Sequence, residues 1–327
     1  MTVAVLPWPH RHLLDVEGLR AGELERVMLL ADEMTFSLRA GARRTDLAGR
    51  RLVTLFAEPS TRTRLSFDMA ARSLGAEVFH LDPPMSSLVK GESLPDTVRT
   101  LAALGADLLV MRHRRGGAAD LAARYFPGHV VNAGDGCRAH PTQALLDLYT
   151  LRRRLPRGVA GARVAILGDI LHSRVARSNV WTLIAAGADV TLCGPAEWMP
   201  DVARWLGAAA SPRAIRTTTR VEEALAGVDA VMTLRIQRER SGGVGPSSHE
   251  YAQRYGLTSA RLAMARSDAV VLHPGPVNEG VEISREISSG QRSVILDQVA
   301  NGVPVRMAVL SLLAGNEGDA PRSPTAG

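Results

Sequence analysis

Short apolar runs alternate with amphipathic stretches from residue 51 onward. The run RLVTLF at 51–56 leads into the polar AEPS and then into STRTRLSFDMAARSLGAE, where Leu65, Met69 and Leu74 recur at about helical spacing. This order predicts strand, loop and helix. The rhythm continues through EVFHLD, a polar loop, a helix through DTVRTLAALG, strand DLLVMR, a helix through DLAARYF and strand HVVNAG. A helix from about Thr142 through LLDLYTLRRRL runs into Pro156, Gly158 and Gly161, after which RVAILGD restarts the pattern. It goes on with a helix at VWTLIAAG, strand DVTLCG, a helix after MPDVARWL and strands DAVMTLR and AVVLHPGP. The Pro/Gly punctuation sets a domain boundary near residue 150. Residues 1–150 and 151–315 are then two α/β domains, each a mostly parallel sheet flanked by helices. The last helix, about 303–314, is expected to pack back on the first domain, and 316–327 read as a disordered tail.

Composition agrees with two domains. A chain of 327 residues, 46% of them hydrophobic, is long enough for two cores at about 150 residues per domain. The two cysteines, Cys137 and Cys193, have no CxxC spacing, so neither a disulfide framework nor a metal site is indicated, and a reducing cytoplasm fits. No stretch approaches the roughly 20 apolar residues of a membrane span, so a soluble protein without a membrane partner is expected. A net charge of +6 raises the question of nucleic acid, but 4% aromatic residues are too few for a stacking platform. Of the 39 Lys and Arg residues only Lys90 is lysine. A chain that otherwise uses arginine for positive charge singles out that position, because a slender ammonium differs from a guanidinium fork in reach and geometry.

The chemistry concentrates where strands should end, which is where open parallel sheets bind ligands. Ser60-Thr61-Arg62-Thr63-Arg64 sets hydroxyls, guanidinium groups and unbonded backbone N–H groups at a helix start just after a strand. That combination suits phosphate, since a helix N-terminus offers donors and a positive dipole end, and arginine adds charge-assisted bonds. A Ser/Thr helix cap with two solvated arginines is the plainer alternative. Met111-Arg112-His113, His140-Pro141-Thr142-Gln143, Arg235-Ile236-Gln237 and His273-Pro274-Gly275-Pro276 also fall at strand ends. Each alone is an ordinary loop; together they describe one interdomain cleft. RVAILGDILHS hints at a dinucleotide fold but lacks GxGxxG, so no cofactor is expected.

FAEPSTRTRLSF, SSLVKGESLPDT, MRHRRGGAADLA, NAGDGCRAHPTQALLDL, LGDILHSRVARSN, LRIQRER and HPGPVNEGVEI, in this order over about residues 10–315, resemble the signatures of aspartate carbamoyltransferase catalytic chains. STRTR is shared with ornithine carbamoyltransferases; LRIQRER and an HPGP loop without cysteine favour the aspartate branch. The resemblance implies transfer of the carbamoyl group of carbamoyl phosphate to L-aspartate in pyrimidine biosynthesis. By it, Ser60, Thr61, Arg62 and Thr63 bind the phosphate, with Arg112 also reaching it. Thr63, Arg112 and His140 hold the carbamoyl oxygen, and Gln143 holds the carbamoyl nitrogen. Arg62, Thr63, Arg112 and His140 form the catalytic set. Arg174, Arg235 and Gln237 bind aspartate, and the backbone at Gly275 and Pro276 covers both substrates. Ser86, Ser87 and the aspartate-binding Lys90 arrive from a neighbouring subunit of a homotrimer with shared active sites. Glu58 pairs with Arg174 and Arg240 when the domains close. A regulatory chain or another pyrimidine-pathway enzyme as partner stays open.

One position departs from the family pattern. After HPGP the expected Val or Met, Asn, Arg, Gly reads Val277, Asn278, Glu279, Gly280, a charge reversal. A carbamoyltransferase with a different amine acceptor, or a non-catalytic family member, therefore stands beside the aspartate reading.

Overall fold

The computed structural model describes residues 8–82, 90–202, 205, 215–236 and 245–315. Ser86, Ser87, Gln237 and Arg240 lie outside these residues, as does most of the helix read near MPDVARWL. The chain forms two compact units. Unit 1 comprises residues 1–15, 25–136 and 302–327, and unit 2 comprises 16–24 and 137–301.

Unit 1 is built on β1 (Arg51–Phe56), α2 (Thr61–Ser73), β2 (Glu77–Leu81), α3 (Leu94–Ala103), β3 (Leu108–His113), α4 (Ala118–Tyr125) and β4 (His129–Asp135), preceded by α1 (Ala21–Arg39), which begins in unit 2. The four strands are parallel in the order β2-β1-β3-β4. Leu55, Leu109, Met111 and Val130 meet Val98 from α3 and Ala119 and Ala122 from α4 in one buried cluster. On α2 the core face is Phe67, Ala70 and Ala71, with Leu74 at its C-cap. Leu65 and Met69 stand outside it, 54% and 57% exposed, so the helical spacing of Leu65, Met69 and Leu74 joins a buried position to an outward stripe.

The start of the chain is fastened to β4. The Leu13 N–H donates to the Val130 carbonyl at 2.9 Å, and His12 Nδ1 accepts from the Val130 N–H at 3.0 Å. Burial, then the neighbouring Arg11 and His129, pushes the His12 imidazole down to about 4 from 6.5. The unfolded chain therefore takes up the proton first as pH falls. The stability is fully present above 6.5 and is lost as pH falls from there through the folded value. Denaturant midpoints are expected to drop between about pH 7.5 and about pH 5, and His12→Gln should shrink that drop. An unchanged pH dependence in the variant would overturn the assignment.

Unit 2 carries α5 (Pro141–Arg154), β5 (Arg163–Leu167), α6 (Arg174–Ala185), β6 (Asp189–Cys193), β7 (Ile215–Thr218), α7 (Val221–Leu225), β8 (Ala230–Thr233), α8 (Ser248–Tyr255), α9 (Ser259–Leu262), β9 (Val270–Leu272) and α10 (Arg285–Ser288). Its five strands are parallel in the order β7-β6-β5-β8-β9. The strand β7 escapes sequence reading because only Ile215 of its four residues is buried, leaving neither an apolar run nor clean alternation. The final helix α11 (Ile295–Ala314) starts well before the 303 read from its apolar segment and takes Pro304 inside it. From Gly302 on it belongs to unit 1, where Ser311 donates to Asp46 at 2.8 Å and the Arg306 guanidinium lies 5.0 Å from the Phe67 ring centre.

The units divide after Gly136, ahead of residue 150, so α5 lies in unit 2. Its side of the division follows from polar bonds. The His140 N–H donates to Ser178 Oγ of α6 at 2.9 Å, and Asp147 and Thr150 accept from Asn179, Gln298 and Asn301. Of the two free cysteines, Cys137 is exposed, while burial pushes the Cys193 thiol up to about 12, which keeps it protonated and inert. Among the described residues no helix is long and apolar enough to cross a membrane.

Candidate active site

Sheet order decides where each unit can hold a ligand. In a parallel sheet, a crevice opens at the carboxyl ends of the two strands where the winding reverses. In unit 1 these are β1 and β3, which pair with Phe56 opposite Arg112. The strand β1 leads to Ser60 and α2, and β3 ends on Arg112, so the two phosphate candidates flank the reversal. Ser60 is the N-cap of α2 in an extended conformation (φ −162°, ψ 101°), and its hydroxyl makes no capping bond. The cap reading thus gives way to a hydroxyl set beside the outward N–H groups of the first helical turn. Thr61 and Arg62 are exposed at that turn, whereas Thr63 is only 6% exposed.

The two arginines of STRTR part company. Arg64 Nη1 lies 3.0 Å from Asp82 Oδ1, an ion pair that occupies it within unit 1. Arg62 lies exposed in the first turn of α2. Arg112 is half-buried, with Nε 3.0 Å from Glu58 Oε2 and Nη1 donating to the Ala133 carbonyl at 3.4 Å. Of the partners expected for Glu58, Arg240 lies outside the described residues, and within unit 1 Glu58 lies beside Arg112. The carboxylate holds the guanidinium at the end of β3.

The end of β4 is held by side chains within the polar run Asn132–Gln143, a cluster read from the sequence without roles for Asn132 and Asp135. Asn132 Nδ2 donates to Asp135 Oδ1 at 2.8 Å and to the Leu14 carbonyl at 2.9 Å, while Asp135 Oδ2 accepts from the Gly117 N–H at 2.6 Å. Both residues lie in a strand that is buried throughout, so their polarity within HVVNAGD was the available signal.

In unit 2 the winding reverses between β5 and β8. Arg174 opens α6 after β5, with Ser173 as a true N-cap that accepts from the Ala176 N–H at 3.1 Å. Arg174 is only 3% exposed, and the half-buried Arg235 follows β8. Two guanidinium groups at one strand reversal suit a carboxylate ligand. His140, 4% exposed, is the N-cap of α5, and Gln143, 8% exposed, follows in its first turn with Nε2 donating to Asp147 Oδ1 at 2.9 Å.

The His273–Pro276 turn is tied from beneath. The Gly275 N–H donates to His273 Nδ1 at 2.8 Å, so the other ring nitrogen carries the proton and donates to Glu282 Oε1 at 3.1 Å. The same oxygen accepts from the Asn278 N–H at 2.7 Å. Gly275 has φ +64°, which a side chain would strain, and the Gly275–Pro276 bond is cis. Glu279, the departure from the family pattern, is exposed and lies 3.8 Å from the Arg285 guanidinium, a surface charge already met by its neighbour. Lys90, in unit 1, is exposed. Among the described residues no group of three His, Cys, Asp or Glu side chains could hold a metal.

Comparison with known proteins also gives two halves, but divides them between residues 153 and 160, at the end of α5 and near the residue 150 read from the sequence. Residues 11–153 match the family model described as the aspartate/ornithine carbamoyltransferase carbamoyl-P binding domain, and residues 160–313 match its Asp/Orn binding domain. The chain is similar to an aspartate carbamoyltransferase catalytic subunit of Roseiflexus sp. (strain RS-1), with 49% identity over 93% of this chain and 95% of that one. Among solved structures it is similar to aspartate transcarbamoylase from Trypanosoma cruzi in complex with carbamoyl aspartate and phosphate. There the TM-score is 0.84 and the identity 31%, over 92% of this chain and 95% of that one. An ornithine carbamoyltransferase from Pyrococcus furiosus gives a TM-score of 0.86 at 26% identity, covering 97% and 100%. Backbone likeness therefore does not separate the two acceptors; sequence does.

Proposed function

We infer the reaction from one premise: the chain belongs to the aspartate/ornithine carbamoyltransferase family. It transfers the carbamoyl group of carbamoyl phosphate to the amino group of L-aspartate, giving N-carbamoyl-L-aspartate and phosphate, a step of pyrimidine biosynthesis. The observation that carries the donor is the placement of Ser60–Thr63 at the start of α2 after β1, and of Arg112 at the end of β3, the two strands where the first sheet reverses. The acceptor rests on the aspartate-branch relatives and on Arg174 and Arg235 at the reversal of the second sheet, where two guanidinium groups answer a dicarboxylate.

In this reading Ser60, Thr61, Arg62 and Thr63 bind the phosphate oxygens, with Arg112 adding charge to them. The aspartate amine attacks the carbonyl carbon, and Thr63, Arg112 and His140 donate to the oxyanion that develops. The C–O bond to phosphate then breaks, and the proton lost from nitrogen leaves on the phosphate. His140 acts as a donor, since no Ser-His-Asp or Cys-His arrangement accompanies it. Gln143 meets the carbamoyl nitrogen, Arg174, Arg235 and Gln237 hold aspartate, and backbone at Gly275 and Pro276 covers the substrates. The test is product formation by the purified protein from carbamoyl phosphate, comparing L-aspartate, L-ornithine and a panel of other amines. Selective carbamoylation of L-aspartate supports the assignment; selective use of another amine keeps the donor half and overturns the acceptor half.

We further propose a cytoplasmic homotrimer in which Ser86, Ser87 and Lys90 serve a neighbouring chain. The support lies in unit 1. Leu65 and Met69 form an exposed stripe on α2, and β2, the edge strand beside β1, carries Phe79 at 49% exposure. An edge strand and an apolar stripe open to water are cover sites for a second copy. Sedimentation equilibrium should give a mass near three chains; a monomer mass at micromolar concentration would overturn it.

A further inference from the structure

Deep in unit 2, one carboxylate collects three carboxamides. Asp147 lies in the middle of α5, fully buried, within a helix whose residues from Pro141 to Leu151 are all buried. Its Oδ1 accepts from Gln143 Nε2 at 2.9 Å and from Gln298 Nε2 at 2.7 Å, and its Oδ2 accepts from Asn179 Nδ2 at 2.8 Å. A buried carboxylate is costly unless its oxygens are bonded, and this one is met by neutral amides from three different segments. Gln298 is itself fixed in sense. Its Oε1 accepts from the His273 N–H at 2.9 Å, which forces its amide nitrogen towards Asp147.

The same logic fixes Gln143. A carboxamide is nearly symmetric in shape, and only its partners decide which end is oxygen. Because Asp147 Oδ1 accepts here, Gln143 turns its NH₂ inward. Its Oε1 is then the end presented away from Asp147, as an acceptor. An acceptor at that position reads an N–H of the substrate and has nothing to offer a methyl group.

We propose that Asp147 is a specificity-positioning residue: by orienting the Gln143 carboxamide, it makes the site select a carbamoyl donor over an acyl phosphate that lacks the NH₂. This rests on the carbamoyl-transfer reading and deepens it. Acetyl phosphate, with CH₃ in place of NH₂, is the matched probe. The balance is the same for both donors: the N–C bond forms, the C–O bond to phosphate breaks, and the amine proton leaves with phosphate.

The experiment compares kcat/KM for carbamoyl phosphate and acetyl phosphate, with L-aspartate as acceptor, in the wild type and in Asp147→Ser. The wild type is expected to favour carbamoyl phosphate by at least about 10²-fold, because a site built to bond an N–H rejects an analogue without it. Asp147→Ser withdraws the oxygen that fixes the sense of Gln143, so the preference should fall by about tenfold or more. The fall should come from slower use of carbamoyl phosphate, with acetyl phosphate within a few-fold of wild type. Asp147→Thr replaces it if the serine variant does not fold, and Asp147→Asn, whose oxygen can stand in for Oδ1 between Gln143 and Gln298, should keep the wild-type preference. A purely structural role would lower both donors in parallel, and that result overturns the inference alone. So does a wild type that prefers carbamoyl phosphate by less than about tenfold. A wild type that transfers neither group to L-aspartate overturns the reaction itself.

Discussion

Replacing His140 with alanine is expected to lower turnover by roughly 10²-fold or more while leaving the fold in place. The size follows from the residue's job. A donor aimed at charge that exists only at the tetrahedral stage contributes little to ground-state binding, so kcat should fall and KM change little. The fold should survive because the contact that seats this residue is made by backbone: the His140 N–H reaches Ser178 Oγ at 2.9 Å, and alanine keeps that N–H. Steady-state kinetics at saturating carbamoyl phosphate and L-aspartate make the measurement. A loss of less than a few-fold would remove His140 from the chemistry and leave it as the cap of α5.

Arg112→Met should be at least as damaging, and for a different reason. Truncating one member of a charge-assisted pair costs about 2–5 kcal/mol, which predicts a fall in kcat/KM for carbamoyl phosphate of about 30-fold to several thousand-fold. The structure places the variant towards the upper part of that range. Glu58, whose Oε2 is 3.0 Å from Arg112 Nε, loses its counter-charge and faces the incoming phosphate with its own. Glu58→Gln combined with Arg112→Met should therefore recover part of the single variant's loss, since it removes the repulsion without restoring the donor. If the double variant is no better than Arg112→Met alone, Glu58 does not act on the phosphate through this pair. If Arg112→Met retains near wild-type kcat/KM, the phosphate is held by α2 without β3.

Much of this was readable along the chain because the signals are local. Apolar runs of strand length followed by amphipathic stretches set the αβ alternation, and the eight strands other than β7 begin within a residue of where their runs begin. Ser60 through Thr63 announced a helix start after a strand, which is a nearest-neighbour property of residues 51–64. The elements not read along the chain are β7, α1 and the short helices α7, α8, α9 and α10, and α11 was read only from its apolar part. The strand β7 is polar on three of four residues, and α11 runs through a proline because it begins in the polar stretch from Ile295.

Partnership is another matter, because it joins residues far apart in sequence. The chain alone offers two arginines in STRTR, and only folding brings Asp82 against Arg64. It offers Glu58 as a partner for distant arginines, and folding sets it on Arg112 across the β1–β3 pair. Asp147 sat in plain view in QALLDL, four residues after Gln143, the spacing at which helix side chains meet. That it also gathers Asn179 and Gln298 could not be read, since those bonds span 32 and 151 residues. The sequence by itself determined the elements, the family and the residue types that carry the chemistry, because each follows from short-range pattern. The tertiary structure alone decided strand order, hence where the sheets reverse and open, and which charge neutralises which. Those outcomes depend on buried groups finding partners through space, and nothing along the chain encodes that distance.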